Sequence, residues 1–131
     1  MELIDELKSD HRQMLETLDR IKAAGVTSDE GQRHLRDAKR MLLDHLRKED
    51  SRFYPVLRRA AERDHDLRRR LEAFAGDMHQ ITRDAIAFFD TYAEGGSGLG
   101  FARDFGRLYA TLRQRQEKEE RLLYPQFQEI A

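Results

Sequence analysis

The chain has 131 residues, with 24 basic against 25 acidic side chains, a formal charge of -1 and no cysteine. Near-neutral charge gives no global attraction to nucleic acid or anionic lipid. The lack of thiols excludes disulfides, thiolate metal sites and cysteine nucleophiles, so any metal falls to nitrogen and oxygen ligands.

An even mixture of 37% charged and 39% hydrophobic residues suits amphipathic helices, and the length fits one domain spanning residues 1–131. The N-terminus lacks the basic region and long apolar run of a signal peptide, which predicts a cytoplasmic protein that spans no membrane. The first predicted helix carries Leu3, Leu7, Met14, Leu15, Leu18 and Ile21 at helical spacing and stops at Ala24-Gly25. His11 falls on the same stripe, where it reads either as a hydrogen-bonded core histidine or as a ligand.

Thr27 and Ser28, followed by Asp29 and Glu30, open the second helix, which is expected to run to about Tyr54. Its inward stripe is Leu35, Ala38, Met41/Leu42, His45, Glu49 and Phe53. His45 and Glu49 are four residues apart, so both project from one face and can grip one ion together. A carboxylate on an apolar stripe needs a metal, a cation or a hydrogen-bond network, because burying it unpaired is costly. Pro55 should kink or break the helix, with Val56 to Ala61 forming another turn or two.

Asp64 and Asp66 open a third helix reaching about Ala93, buried along Leu67, Leu71, Phe74/Ala75, Met78, Ile81, Ile86, Phe89 and Tyr92. His79 lies at the edge of this stripe, and Gly76 one turn earlier suits close approach of another helix. The glycine-rich run from Glu94 to Gly100 reads as a loop. A fourth helix follows from about Phe101 to Tyr124-Pro125, with Phe105, Leu108/Tyr109, Leu112, Arg115, Glu119 and Leu122 on its stripe. This helix repeats the second: Lys48, Glu49, Tyr54 and Pro55 return as Lys118, Glu119, Tyr124 and Pro125, while His45 becomes Arg115. A fixed internal period indicates one structural unit built twice.

Four helices with short connections predict an all-α fold, an antiparallel up-down-up-down four-helix bundle. At about 1.5 Å per residue, His11 and His45 each lie roughly 20 to 25 Å from the connection between their helices, so they meet at one level. The same arithmetic brings His79 near Glu119. His11, His45, Glu49, His79 and Glu119 thus form a candidate imidazole and carboxylate layer suited to iron, manganese or zinc.

The order and spacing of these pieces resemble the hemerythrin-like HHE cation-binding domains over nearly the whole chain. The carrying features are Asp10-His11, the HxxxE of His45 and Glu49 followed by Tyr54-Pro55, His79, and the second xxxEE-x-x-Leu-Tyr-Pro ending at Pro125. The resemblance implies a non-haem di-iron centre with two bridging carboxylates, used for oxygen binding, for sensing oxygen, nitric oxide or iron, or for protection. It assigns His11 and His45 to one iron, His79 to the other, and Glu49 and Glu119 to the bridge.

The sequence departs from that pattern at Arg115, where the family has a histidine. A guanidinium offers only donors and cannot ligate, and Gln114 and Gln116 are rotated by about 100° on the helix. Arg83 likewise supplies no further histidine after His79. Three readings follow: one metal ion with Arg115 as a charge replacing the second; a metal-free bundle in which Arg115 bridges Glu49 and Glu119, acting as a structural or protein-interaction module; or a full di-iron site completed by water or another residue. The partner implied is a small diatomic ligand such as oxygen or nitric oxide, and oligomeric state is left open. No nucleophile elbow, phosphate loop or zinc hairpin is present, so an enzyme is not indicated. His34, His65 and the run Arg68-Arg69-Arg70 read as surface positions. Tyr54 and Tyr124 read either as packing at the Tyr-Pro steps or as neighbours of the site.

Overall fold

The structure, a computed structural model, describes residues 2–95 and 99–130. The centre of the expected glycine-rich loop, Gly96-Ser97-Gly98, lies outside the described residues. The elements are α1 (Leu3–Ala24), α2 (Asp29–Lys48), a π turn (Glu49–Phe53), α3 (Tyr54–Ala61), α4 (His65–Thr91), α5 (Leu99–Lys118), a second π turn (Glu119–Leu123) and α6 (Tyr124–Ile130). Each π turn runs directly into the helices on either side, so four helical rods make an all-α bundle, with no strand among the described residues.

Local chemistry sets the ends of the rods. Ser28 caps α2 by accepting the Gly31 N–H at 3.0 Å, and Asp64 caps α4 by accepting from Leu67 at 3.1 Å. Gly25 closes α1 with a φ of 74° and donates its N–H to the Ile21 carbonyl at 2.8 Å. The turn from α1 to α2 is tight enough that a Cβ on Gly31 would lie 1.5 Å from the Gly25 carbonyl oxygen. By contrast, a Cβ on Gly76 would meet nothing within 4 Å, so the close helix approach expected there does not occur.

The Tyr-Pro steps do not break the helices. In each repeat the tyrosine N–H reaches back five residues, from Tyr54 to the Glu49 carbonyl and from Tyr124 to the Glu119 carbonyl. The widened turn relieves the ring clash that proline causes inside a helix. It also puts Pro55 in the first turn of α3, where its missing N–H is not needed. The last rod consequently continues past Pro125 to Ile130.

The core is split in two. One cluster holds Met14, Leu18, Ile21, Leu35, Leu42, Phe88, Phe105 and Leu112 among others. The second holds Ile4, Leu7, Phe53, Leu57, Leu71, Phe74, Leu123 and Tyr124. Every rod passes from one cluster to the other through a short interval. These intervals carry His11 on α1, His45 and Glu49 on the second rod, and Arg115 and Glu119 on the fourth, all buried. Two apolar plugs therefore enclose a polar layer. Replacing Gly31 by alanine is expected to force the first two rods apart and destabilise the protein by about 1–3 kcal/mol, as overpacking does; urea unfolding of Gly31→Ala against wild type measures it.

Candidate metal centre

His11 and His45 meet as the helical depth arithmetic requires, with ring centroids 4.8 Å apart. One donor atom from each of His11, His45 and Glu119 can be chosen so that all lie within 4.8 Å of one another. Glu49 joins them, its Oε1 3.2 Å from His45 Nε2. Glu49 and Glu119 are 0% and 1% exposed, so water does not satisfy them.

Each histidine is oriented from behind by an acid. His11 Nδ1 lies 2.8 Å from Glu120 Oε2, and His45 Nδ1 lies 2.9 Å from Asp10 Oδ2, which also accepts from Lys48 Nζ at 2.9 Å. A carboxylate only accepts, so Nδ1 of each ring carries a proton, and Nε2 is turned toward the centre. This is the outer arrangement that fixes ring orientation and raises basicity in metal-ligating histidines. The sequence reading singled out neither acid for this role. The available signal was adjacency: Asp10 precedes one inward residue and Glu120 follows another, each placed to reach a neighbouring rod.

The tyrosines cross over between the repeats. Tyr54 of the first donates to Glu119 Oε2 of the second at 3.0 Å. Tyr124 of the second lies 3.2 Å from His11 Nε2 and 3.5 Å from Glu49 Oε2. Burial and the nearby carboxylates push both phenols above their ordinary pKa, so they serve as donors.

Arg115 is buried but does not bridge the two carboxylates. Its guanidinium lies 4.2 Å from the Phe74 ring centroid, and an Nη donates to the Tyr54 hydroxyl at 3.3 Å, so its link to Glu119 runs through Tyr54. His79 is exposed and does not join the cluster. The inward slots of α4 between Phe74 and Ala85 pass through Met78, Ile81 and Thr82, and consecutive helix residues diverge by about 100°, which turns His79 out. It lines an outer groove with Asp50, Tyr54, Arg58 and Arg83 instead. Gln116, set aside as rotated off the stripe, is buried and lines the inner cavity together with Arg115, Thr82 and the two histidines. That cavity has a volume of about 30 Å³.

The profile of the hemerythrin HHE cation-binding domain matches residues 2–127. The chain belongs to this family. Comparison with curated proteins and with solved structures gave no match. No helix among the described residues is long and apolar enough to cross a membrane.

The donor set of this HHE domain fits a cation. His45 Nε2 and Glu49 Oε1 are buried without a hydrogen-bond partner, because their 3.2 Å approach is not aligned for one. Two unpaired buried atoms pointing into a cluster of imidazoles and carboxylates are what a bound ion would satisfy.

Without an ion the cluster must balance itself with protons. Burial, reinforced by the Glu119 charge, pushes the Glu49 carboxyl up to about 8. For Glu119 burial is outweighed by contacts from His11 and Glu49 and by the Arg115 charge, which pull it down to about 2. The two carboxylates in contact thus hold one proton between them. Burial alone would lower His45, but the Asp10 hydrogen bond and the charges of Glu49 and Glu119 raise it to about 9. His45 thus binds its proton more tightly folded than unfolded, so its contribution is complete below about pH 6.5 and lost as pH rises through about 9. Glu49 acts in the same direction between about 4.5 and 8, while Glu119 and Asp10, both lowered, withdraw stability as the pH falls below about 4.5. Metal-free protein in EDTA should therefore be most stable in mildly acidic buffer and weaken toward pH 9, as read by urea unfolding across pH.

Proposed function

We propose that this HHE domain binds one divalent metal ion, iron foremost with manganese or zinc as alternatives, through His11, His45, Glu49 and Glu119. The observation that carries the reading is the convergence of two acid-oriented imidazoles and two buried carboxylates, with His45 Nε2 and Glu49 Oε1 left unpartnered. Arg115 supplies a fixed positive charge in the half of the site where the family has a further histidine. With His79 turned outward, that half offers Met78, Ile81, Thr82 and Arg115, none of them an imidazole or a carboxylate. One divalent ion offsets the two glutamates and leaves only the guanidinium charge in excess, whereas a second ion would add two further buried positive charges.

A bound iron ion would supply a Lewis-acidic, redox-active position for a diatomic ligand such as oxygen or nitric oxide. The protein's own groups do the rest. Asp10 and Glu120 aim the imidazoles, Tyr54 and Tyr124 donate toward Glu119 and Glu49, and the apolar clusters on either side exclude water. The 30 Å³ cavity admits one or two water-sized atoms and no organic substrate, which favours sensing of a diatomic ligand or protection against one in the cytoplasm over catalysis on a metabolite.

The second reading is a metal-free interaction module. It is favoured by the chain from Arg115 through Tyr54 to Glu119, which already offsets one carboxylate. Metal analysis separates the two. Reconstitution with iron(II) should give one ion per chain, and none or two would overturn the proposal. His45→Ala should abolish tight binding, and Asp10→Asn should weaken it by about 10–100-fold, as loss of an orienting acid does. His79→Ala should leave stoichiometry and affinity unchanged.

A further inference from the structure

His79, turned out of the polar layer, lies in a groove that the metal reading does not use. The groove runs between the second rod and α4, from Leu46 to Arg58 on one side and from Leu71 to Arg83 on the other, roughly 18 Å of helix at about 1.5 Å per residue. Its volume of about 450 Å³ falls within the range of small-molecule sites, about 300 to 1,000 Å³. Leu46, Leu71, Ala75 and Met78 give it an apolar lining. Ala75 is exposed, and a Cβ on the adjoining Gly76 would meet nothing within 4 Å, so no other part of the described chain covers this stretch of α4.

The charged groups on the groove are mostly of one sign. Arg58, His79 and Arg83 line it against a single carboxylate, Asp50. The arginine ion pairs among the described residues are made by Arg40, Arg47, Arg52, Arg69 and Arg113, and the two groove arginines take no part in one. Arg83 donates instead to the Gln80 side-chain oxygen at 2.8 Å, and Arg58 stands over the Tyr54 ring, 5.8 Å from its centroid. Both keep further N–H donors in a planar fork, the shape that matches the oxygens of an acid group. His79 lies one turn before Arg83 on the same helix face and adds a ring nitrogen at that end.

The surroundings decide between a small ligand and a protein partner. A stable protein interface buries at least about 1,000 Å² and is built around large apolar anchors. Among the described residues the exposed large hydrophobic side chains are Leu99 and Ile130, and neither lines the groove. The apolar surface thus ends at the groove walls. We infer that this groove binds a small amphipathic organic acid, whose aromatic or aliphatic body lies along Leu71, Ala75 and Met78 while its acid group accepts from Arg83 beside His79. The acid group goes to this end because Arg58 is already stacked on Tyr54. Tyr54 lines the groove and donates to Glu119, so the site abuts the polar layer without sharing any of the four proposed metal ligands, and the inference does not depend on the metal reading.

Two fluorescent dyes with one aromatic body test it on the full chain: the acid 1-anilinonaphthalene-8-sulfonate and its uncharged parent, N-phenyl-1-naphthylamine. Wild type should bind the acid saturably at one per chain and more tightly than the neutral dye, and decanoate should displace it. Arg83→Gln should weaken the acid about 10-fold, as loss of a charged hydrogen-bond partner does, and leave the neutral dye unchanged. Ala75→Trp, which fills the groove from an exposed position, should weaken both dyes, and Arg113→Gln on α5 should affect neither. No saturable binding of the acid, equal affinity for the two dyes, or an acid affinity indifferent to Arg83→Gln overturns the inference. Urea unfolding checks that each variant is folded; should Ala75→Trp fail to fold, the response of the two dyes to Arg83→Gln decides alone.

Discussion

Two glutamates in contact inside an apolar bundle are the constraint to which the rest of the layer answers. Glu49 and Glu119 cannot both be ionised without nearby positive charge, and neither reaches water. Their surroundings supply that charge from several sources: the His45 proton, Arg115 acting through Tyr54, and the tyrosine hydroxyls that donate into the pair. These groups offset part of the pair's charge without an ion. They leave His45 Nε2 and Glu49 Oε1 unpartnered, which is the local deficit that an ion corrects. Metal uptake therefore competes with protons for the same atoms, so affinity should rise with pH while metal-free stability falls.

The repeat explains how such a layer is assembled. Each half supplies a glutamate that opens a π turn and a tyrosine that closes it, and the widened turn sits level with the centre in both. The tyrosines serve the opposite half, so neither repeat completes its own site. The symmetry then breaks in a definite way. The first half keeps two imidazoles and Lys48 bound to Asp10, while in the second Arg115 replaces an imidazole and Lys118 is exposed. The two halves thus differ in what they bring to the layer: imidazoles and Glu49 from the first, the Arg115 guanidinium and Glu119 from the second.

Much of this was legible in the chain itself. The stripes through Leu7, Leu42 and Leu112 determined four amphipathic helices, and their interruption by His11, by His45 and Glu49, and by Arg115 and Glu119 marked one polar layer. Periodicity suffices there because inward positions on a helix are set by backbone geometry alone. Capping by Ser28 and Asp64 was equally readable, since it depends on neighbours three residues away.

What only the tertiary structure decided depends on rotation and reach between rods. His79 sits one position from an inward slot, and a turn of about 100° is the difference between ligand and surface, finer than a stripe with Met78, Ile81 and Thr82 on it can resolve. Arg115 was correctly placed inward, but its partner is the Tyr54 hydroxyl, because a long side chain chooses among acceptors on other rods. The orienting roles of Asp10 and Glu120 and the crossing of Tyr54 and Tyr124 are likewise contacts between distant residues. The persistence of the helices through Pro55 and Pro125 depends on a shift from four-residue to five-residue hydrogen bonds, whose value comes from keeping Glu49 and Glu119 in the layer. Sequence determines the centre of each inward stripe; which residues at its edge turn in, as Gln116 does and His79 does not, and which side chains touch are decided by how the rods pack.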